Sequence, residues 1–166
     1  MGKVMTICLL VRQAEDGSKQ ICLAEKRRGF RAGKINGYGG KLLEGRESLL
    51  ECVLRETHEE AKITLRSVRK VAEIFFHDPE ITHECHVYIC EDWEGDPTET
   101  EEMASPEWYT VEEIPFERMG KADPLWIVPV LSGDRLRASF HYDEDTQMYG
   151  NSVVNLEPEE GFENGC

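Results

Sequence analysis

The sequence predicts an α+β fold, a mixed β-sheet flanked by helices. Three observations carry that expectation: apolar runs of strand length scattered along the chain, one strongly patterned helix, and no strict strand–helix alternation. With 166 residues, the chain fits one compact domain with a core that needs no disulfide or metal staple.

Val4 to Val11 is a continuous apolar run of strand length. An Asp16-Gly17 turn signal separates it from a second strand at Ile21 to Ala24, and together they read as a hairpin. Gly29, Gly33, Gly37, Gly39, Gly40 and Gly45 then imply an irregular loop whose backbone takes positive φ and closely approaches another group. Ser48 to about Lys62 is the best helix: Ser48 with Glu51 forms a capping box, and Leu50, Val53, Leu54, Thr57 and Ala61 share one arc. Strands are expected at Val68 to Phe76, His86 to Cys90, Trp108 to Thr110, Arg135 to Tyr142 and Ser152 to Leu156. Short helices are expected over Val111 to Met119 and Pro124 to Leu131. The single domain is read as 1–156, with 157–166 an acidic, mobile tail.

Composition removes several function classes. The net charge of −14 argues against a partner that is a nucleic-acid polymer, which needs a basic footprint. Apolar runs are too short for a bilayer span. Met1-Gly2 with Thr6 matches a loose myristoylation pattern, but Thr6 lies inside a strand-like run, so no membrane partner is expected. The six cysteines, without a secretory signal, read as reduced thiols of a cytoplasmic protein. His83, Cys85, His86 and Cys90 crowd one stretch, but alternation sends Cys85 and His86 to opposite faces and no second ligand pair has zinc spacing. The acidic chain nevertheless holds a basic island: Lys26, Arg27, Arg28, Arg31, Lys34, Lys41 and Arg46 against the single acid Glu44. Such an island suits a polyphosphate, or is a solvated loop.

The chemistry concentrates in the helix. Glu56, Glu59 and Glu60 occupy one arc beside the apolar stripe, where like charges three and four residues apart repel. A shared divalent cation removes that penalty, and Mg2+ takes such hard oxygen ligands. Arg55, one turn before Glu59, can hold a carboxylate in place. A solvated acidic face is the alternative reading of the helix alone.

Gly40, Glu47, Arg55, Glu56, Glu59 and Glu60, running from a glycine loop into a capped helix, closely resemble the Nudix box. Six residues rather than five separate Gly40 from Glu47, and Lys62 stands where the pattern has glycine. The resemblance implies an α/β/α sandwich and a Mg2+-dependent pyrophosphohydrolase, with Mn2+ as a substitute. Lys26-Arg27-Arg28-Gly29-Phe30, Asn36 to Lys41, Glu101-Glu102-Met103, Ile114-Pro115-Phe116 and Trp126 further resemble the branch that cleaves oxidised purine nucleoside triphosphates such as 8-oxo-dGTP. By position, the resemblance implies catalytic residues Arg55, Glu56, Glu59 and Glu60. It implies metal ligands Gly39 (carbonyl), Glu56, Glu59, Glu60 and Glu102. It places Thr6, Phe30, Asn36, Met103 and Asp123 at the base, Lys26 near phosphate or sugar, and Tyr38, Gly40 and Lys41 among the substrate contacts. Members of that branch often carry a Trp and an Asp pair where this chain has Gly120, Lys121, Ala122 and Asp123. The expected partner is a small-molecule nucleotide, met by a monomer or homodimer. The rival readings are another Nudix substrate, such as a dinucleoside polyphosphate or nucleotide sugar, and a non-catalytic nucleotide-binding module.

Overall fold

The computed structural model describes residues 2–29, 31–158 and 161–162. Among them, nine strands form one mixed sheet: β1 (Lys3–Gln13), β2 (Lys19–Glu25), β3 (Ile35–Asn36), β4 (Tyr38–Lys41), β5 (Thr64–His77), β6 (Thr82–Glu94), β7 (Glu107–Thr110), β8 (Leu136–Tyr142) and β9 (Met148–Asn155). The spatial order is β3-β2-β1-β6-β5-β8-β9, with β4 beside β1 and β7 beside β2. The β1–β6 and β5–β8 pairs are parallel and the other pairs antiparallel, including the expected β1–β2 hairpin.

Two helices, α1 (Leu49–Ala61) and α2 (Asp123–Leu131), cover opposite faces. This explains why β1 reads as a continuous apolar run: a strand covered on both faces has no solvent side to alternate toward. Ile7, Leu9 and Val11 pack with Trp126, Ile127 and Val130 of α2, while Cys8 and Leu10 pack on the α1 side with Val53 and Ala61. The result is an α/β/α sandwich. No described helix is long and apolar enough to cross a membrane.

Four local expectations are corrected. The glycine segment is not wholly irregular, since it contains β3 and β4. Gly29, Gly33 and Gly45 do take positive φ, whereas Gly37, Gly39 and Gly40 allow close packing instead. The single helix over 111–119 is two 3-10 turns, Val111–Glu113 and Phe116–Arg118. Pro115 separates them, because a residue before proline is driven out of the helical region, and Ile114 sits at φ −57°, ψ 124°. Leu50 lies in the predicted apolar arc of α1 but is 43% exposed, and burial begins at Cys52. The last strand starts earlier than expected, at Met148. Of the tail at 157–166, only 157–158 and 161–162 are described; the Phe162 ring lies near the Lys70 ammonium and the Arg135 guanidinium.

Candidate active site

Helix α1 presents its carboxylates because its start is fixed. Ser48 caps it, with Oγ accepting the Glu51 N–H at 3.1 Å. The Ser48 hydroxyl in turn donates to the Glu51 carboxylate at 3.4 Å. At the other end Lys62 adopts the left-handed conformation, φ 59°, and its N–H reaches the His58 carbonyl. Lysine thus supplies the C-cap geometry for which glycine is usual.

The extra residue between Gly40 and Glu47 is absorbed in a turn: the Arg46 and Glu47 N–H groups both donate to the Leu43 carbonyl, with Gly45 at φ 74°. Glu47 therefore still reaches Arg55. The guanidinium grips it with Nε (2.9 Å) and Nη2 (2.7 Å) on the two carboxylate oxygens. Nη2 also donates to the Lys41 carbonyl at 3.2 Å, and Nη1 to Glu56 at 2.9 Å and Glu59 at 3.3 Å. The Arg55 hydrogen bonds pull the Glu47 carboxyl down to about 2.

Strand β4 lies against this helix. The Gly39 N–H donates to Glu60 Oε1 at 2.7 Å, and Glu60 is 2% exposed. Burial pushes the Glu60 carboxyl up to about 7, against the Gly39 hydrogen bond and nearby Lys26. Burial likewise raises Glu56 above the ordinary carboxylate range. A Cβ at Gly40 would stand 2.4 Å from the Glu56 carboxyl carbon, and one at Gly39 only 1.9 Å from the Thr6 carbonyl oxygen. Both glycines are therefore demanded by close approach. Glu59 stays half-exposed on the solvent side.

The loop carrying Glu102 joins from a third direction. The Thr100 hydroxyl donates to the Glu60 carbonyl at 2.9 Å, and the Arg27 N–H to the Glu102 carbonyl at 2.9 Å. The Glu102 carboxylate pairs with Arg28, which lowers its pKa. Lys26 is held by backbone hydrogen bonds to Lys34 and Gly33 and by a bridge to Met103; its charge acts on Glu56, Glu60 and Glu102 together. The donor set is all hard oxygen, with one buried carboxylate, Glu60, and one partly buried, Glu56, whose protonation is favoured by burial. It fits a divalent cation, which would replace those protons.

A second group of possible ligands, Glu73, Glu84 and His86, lies elsewhere on β5 and β6 with ligand atoms within 4.8 Å of one another. There Lys70 already stands 3.2 Å and Arg137 3.4 Å from the two Glu73 oxygens, so the buried acid is charge-compensated by protein.

Beyond Gly39 and Gly40 opens a cavity of about 30 Å³ lined by Lys26, Arg31, Asn36, Phe76 and Cys85 among others. It adjoins an outer cleft of about 320 Å³, which shares Arg31 and Phe76 and adds Met119, Gly120 and Tyr142. Thr6 lines the inner cavity, but its hydroxyl meets Cys52 Sγ at 3.4 Å on the α1 side. Asn36 is there with its Oδ1 accepting the Gly37 N–H. Two of the residues that the resemblance places at the substrate line neither space. Met103 and Tyr38 are fully buried in the cluster beneath α1, and burial raises the Tyr38 hydroxyl pKa. Asp123 is fully buried and lines neither space; it accepts from Gly120 N (2.8 Å), Trp126 Nε1 (3.1 Å) and Arg31 Nη1 (3.2 Å). The Lys41 side chain is exposed, and Phe30 lies outside the described residues. Sequence reasoning missed Arg31 and Phe76 as wall residues. Arg31 was visible only as one charge of the basic island, and Phe76 as one apolar residue of a strand.

Comparison with known proteins agrees with this architecture. The NUDIX domain family model matches residues 3–127. An oxidized purine nucleoside triphosphate hydrolase of Danio rerio is 33% identical over 144 residues, covering 85% of this chain and 87% of the relative. The protein of the same name from Mus musculus is 34% identical over 132 residues, covering 77% and 83%. The crystal structure of a MutT protein from Bacillus halodurans superposes with a TM-score of 0.75 at 27% identity, covering 95% of this chain and 99% of that one. With the Arg55-centred carboxylate helix in place and the family model spanning most of the chain, the protein belongs to the Nudix family of hydrolases.

Proposed function

We propose that this hydrolase is a cytoplasmic, Mg2+-dependent pyrophosphohydrolase of purine nucleoside triphosphates, oxidised purines such as 8-oxo-dGTP among them, with Mn2+ able to replace Mg2+. Water adds to a phosphorus of the triphosphate, the phosphoanhydride bond breaks, and a nucleoside monophosphate and pyrophosphate leave. The names of the two relatives support the substrate class.

The observation that carries the reading is the carboxylate helix: Arg55 ties Glu47, Glu56 and Glu59 into one cluster, and the Gly39 N–H fixes the buried Glu60 beside it. Glu59, Glu60 or Glu102 would take the proton of the attacking water. Glu56, Glu59 and Glu60, with Glu102 and the Gly39 carbonyl, would hold the cation. When bound, the cation supplies charge neutralisation for the polyphosphate and Lewis-acid activation. Arg55 keeps Glu56 and Glu59 oriented, and Lys26 offers positive charge to the phosphates.

The test is pyrophosphate release with Mg2+ from 8-oxo-dGTP, 2-oxo-dATP, dGTP and dATP at equal low concentration, for wild type and Glu60→Gln. Release that falls by several orders of magnitude in the variant, with the folded circular-dichroism spectrum retained, is the expected outcome. Nucleotide binding without release in wild type would replace the enzyme reading by a binding module. Products from dinucleoside polyphosphates or nucleotide sugars alone would move the substrate.

A further inference from the structure

The cavity beside the carboxylate helix is small, with room for only a water or two, and Arg31 forms part of its wall. Arg31 Cζ lies 4.9 Å from the centroid of the Phe76 ring. On its other side is Gly120, where an added Cβ would meet Nη1 at 2.7 Å and both Cζ and Nη2 at 2.8 Å. Three near-equal distances to the central carbon and two of its nitrogens put Gly120 over the guanidinium face rather than at its edge. A planar cation thus fills a planar slot between an aromatic ring and a residue with no side chain. The slot lies on the boundary between the inner cavity and the outer cleft, whose volume is in the range of small-molecule sites.

The arginine is held there. Its backbone takes φ 64°, a left-handed conformation that a non-glycine residue keeps only where surroundings impose it, here in a turn closed by Ala32 N–H to Gly29 O and Lys34 N–H to Arg31 O. Its Nη1 pairs with both Asp123 oxygens, and the guanidinium is the one charge partner seen for that fully buried carboxylate among the hydrogen bonds described. Removing it would strand a buried charge. Asp123, with its two oxygens already accepting from Arg31, Gly120 and Trp126, is committed to protein donors.

We propose that Arg31 is the specificity-determining residue of the base pocket, presenting guanidinium N–H groups to the 6-oxo edge of a guanine-type base while Asp123 serves only to hold it. The proposal rests on the purine nucleotide reading above and narrows it to 6-oxopurines. The chemistry is a matter of matching signs. Arginine is donor-only, and guanine offers acceptors at O6 and N7 where adenine sets an N6 amino donor. The 6-oxo group is common to guanine and 8-oxoguanine, so both are accepted through O6, N7 of 8-oxoguanine carrying a hydrogen and taking no part. Adenine and 2-oxoadenine, each with a 6-amino group, oppose N–H to N–H.

The experiment measures binding of dGMP, 8-oxo-dGMP and dAMP by calorimetry, and turnover of dGTP, 8-oxo-dGTP, dATP and 2-oxo-dATP with Mg2+, for wild type, Arg31→Met and Arg31→Lys. Wild type should favour the 6-oxo nucleotides by roughly tenfold or more, a single good arginine–guanine contact. Both variants should lose most of that ratio through affinity and KM for the 6-oxo nucleotides. Arg31→Lys retains a cation for Asp123, so it tests the idea even if Arg31→Met does not fold. A wild type without 6-oxo preference, or an Arg31→Lys protein that folds and keeps the ratio, overturns the assignment of Arg31. Because monophosphate binding needs no catalysis, a guanine preference lost in Arg31→Lys would uphold Arg31 even if no triphosphate were cleaved, and only the hydrolase reading would then fall.

Discussion

Arg55 shows how one side chain can convert a repulsive arrangement into a usable one. Glu56 and Glu59 sit on the same helix arc, and the guanidinium between them also locks Glu47 and the Lys41 carbonyl. Replacing Arg55 with Ala should cost about 2 kcal/mol, the scale of hydrogen bonds to charged groups. For a chain of this length that is a fall of roughly 4–8 °C in melting temperature. Calorimetry checks it, and an unchanged midpoint would mean that the clamp contributes orientation without stability. Glu47 belongs to the same cluster. Its carboxyl is held near 2 against an ordinary 4.5, so its contribution is complete above pH 4.5 and is lost as pH falls toward 2. At this scale the sequence was a good guide where contacts are local: Arg55, Glu56, Glu59 and Glu60 lie within two helical turns, and their spacing alone sets their arc. It said nothing of Phe76 as a cavity wall, because nothing in a strand's sequence says which of two covered faces holds the cavity.

Helix α1 is the element on which the site depends, and both of its ends are readable. The Ser48 cap follows from the sequence. The other end looked irregular, with Lys62 in place of glycine, yet the chain turns there as though glycine were present. Lys62→Gly should relieve the left-handed strain and, after the larger chain entropy of glycine in the unfolded state, raise stability by about 0.5–1 kcal/mol. A urea titration would read this as a higher midpoint with unchanged slope; a lower midpoint would mean that the lysine side chain makes a compensating contact. Strand β4 gives the opposite lesson. Its glycines suggested a free loop, but Gly39 and Gly40 are required because β1 and Glu56 press directly on them.

For the whole molecule, the buried carboxylates couple metal, protons and folding. In the metal-free protein Glu60 has its pKa raised from 4.5 to about 7, so the native state holds a proton that the unfolded chain has released across that window. Stability from this group therefore declines as pH rises from about 4.5 to 7. A divalent cation that binds the deprotonated native site reverses the trend. Adding Mg2+ should raise the melting temperature little at pH 5 and clearly at pH 8, with chelator abolishing the difference. Equal stabilisation at both pH values would place the cation away from Glu60. The Glu73, Glu84 and His86 group offers the contrast. Its acid is compensated by Lys70 and Arg137, and burial pushes His86 down to about 4, so proton competition near neutral pH should be small there.

The sequence by itself determined the mixed sheet with its flanking helices, the capped carboxylate helix and the family to which the chain belongs. The first two rest on short-range rules, hydrophobic periodicity, cap chemistry and the spacing of charges along one helix, and the family on the resemblance of Gly40, Glu47, Arg55, Glu56, Glu59 and Glu60 to the Nudix box. Only the tertiary structure decided which side of the sheet each residue serves, why Gly39 and Gly40 must be glycine, and that Arg31 fills the slot over Gly120. Those facts depend on segments far apart in the chain being packed to within a few ångströms, and no local pattern encodes a distance of that kind.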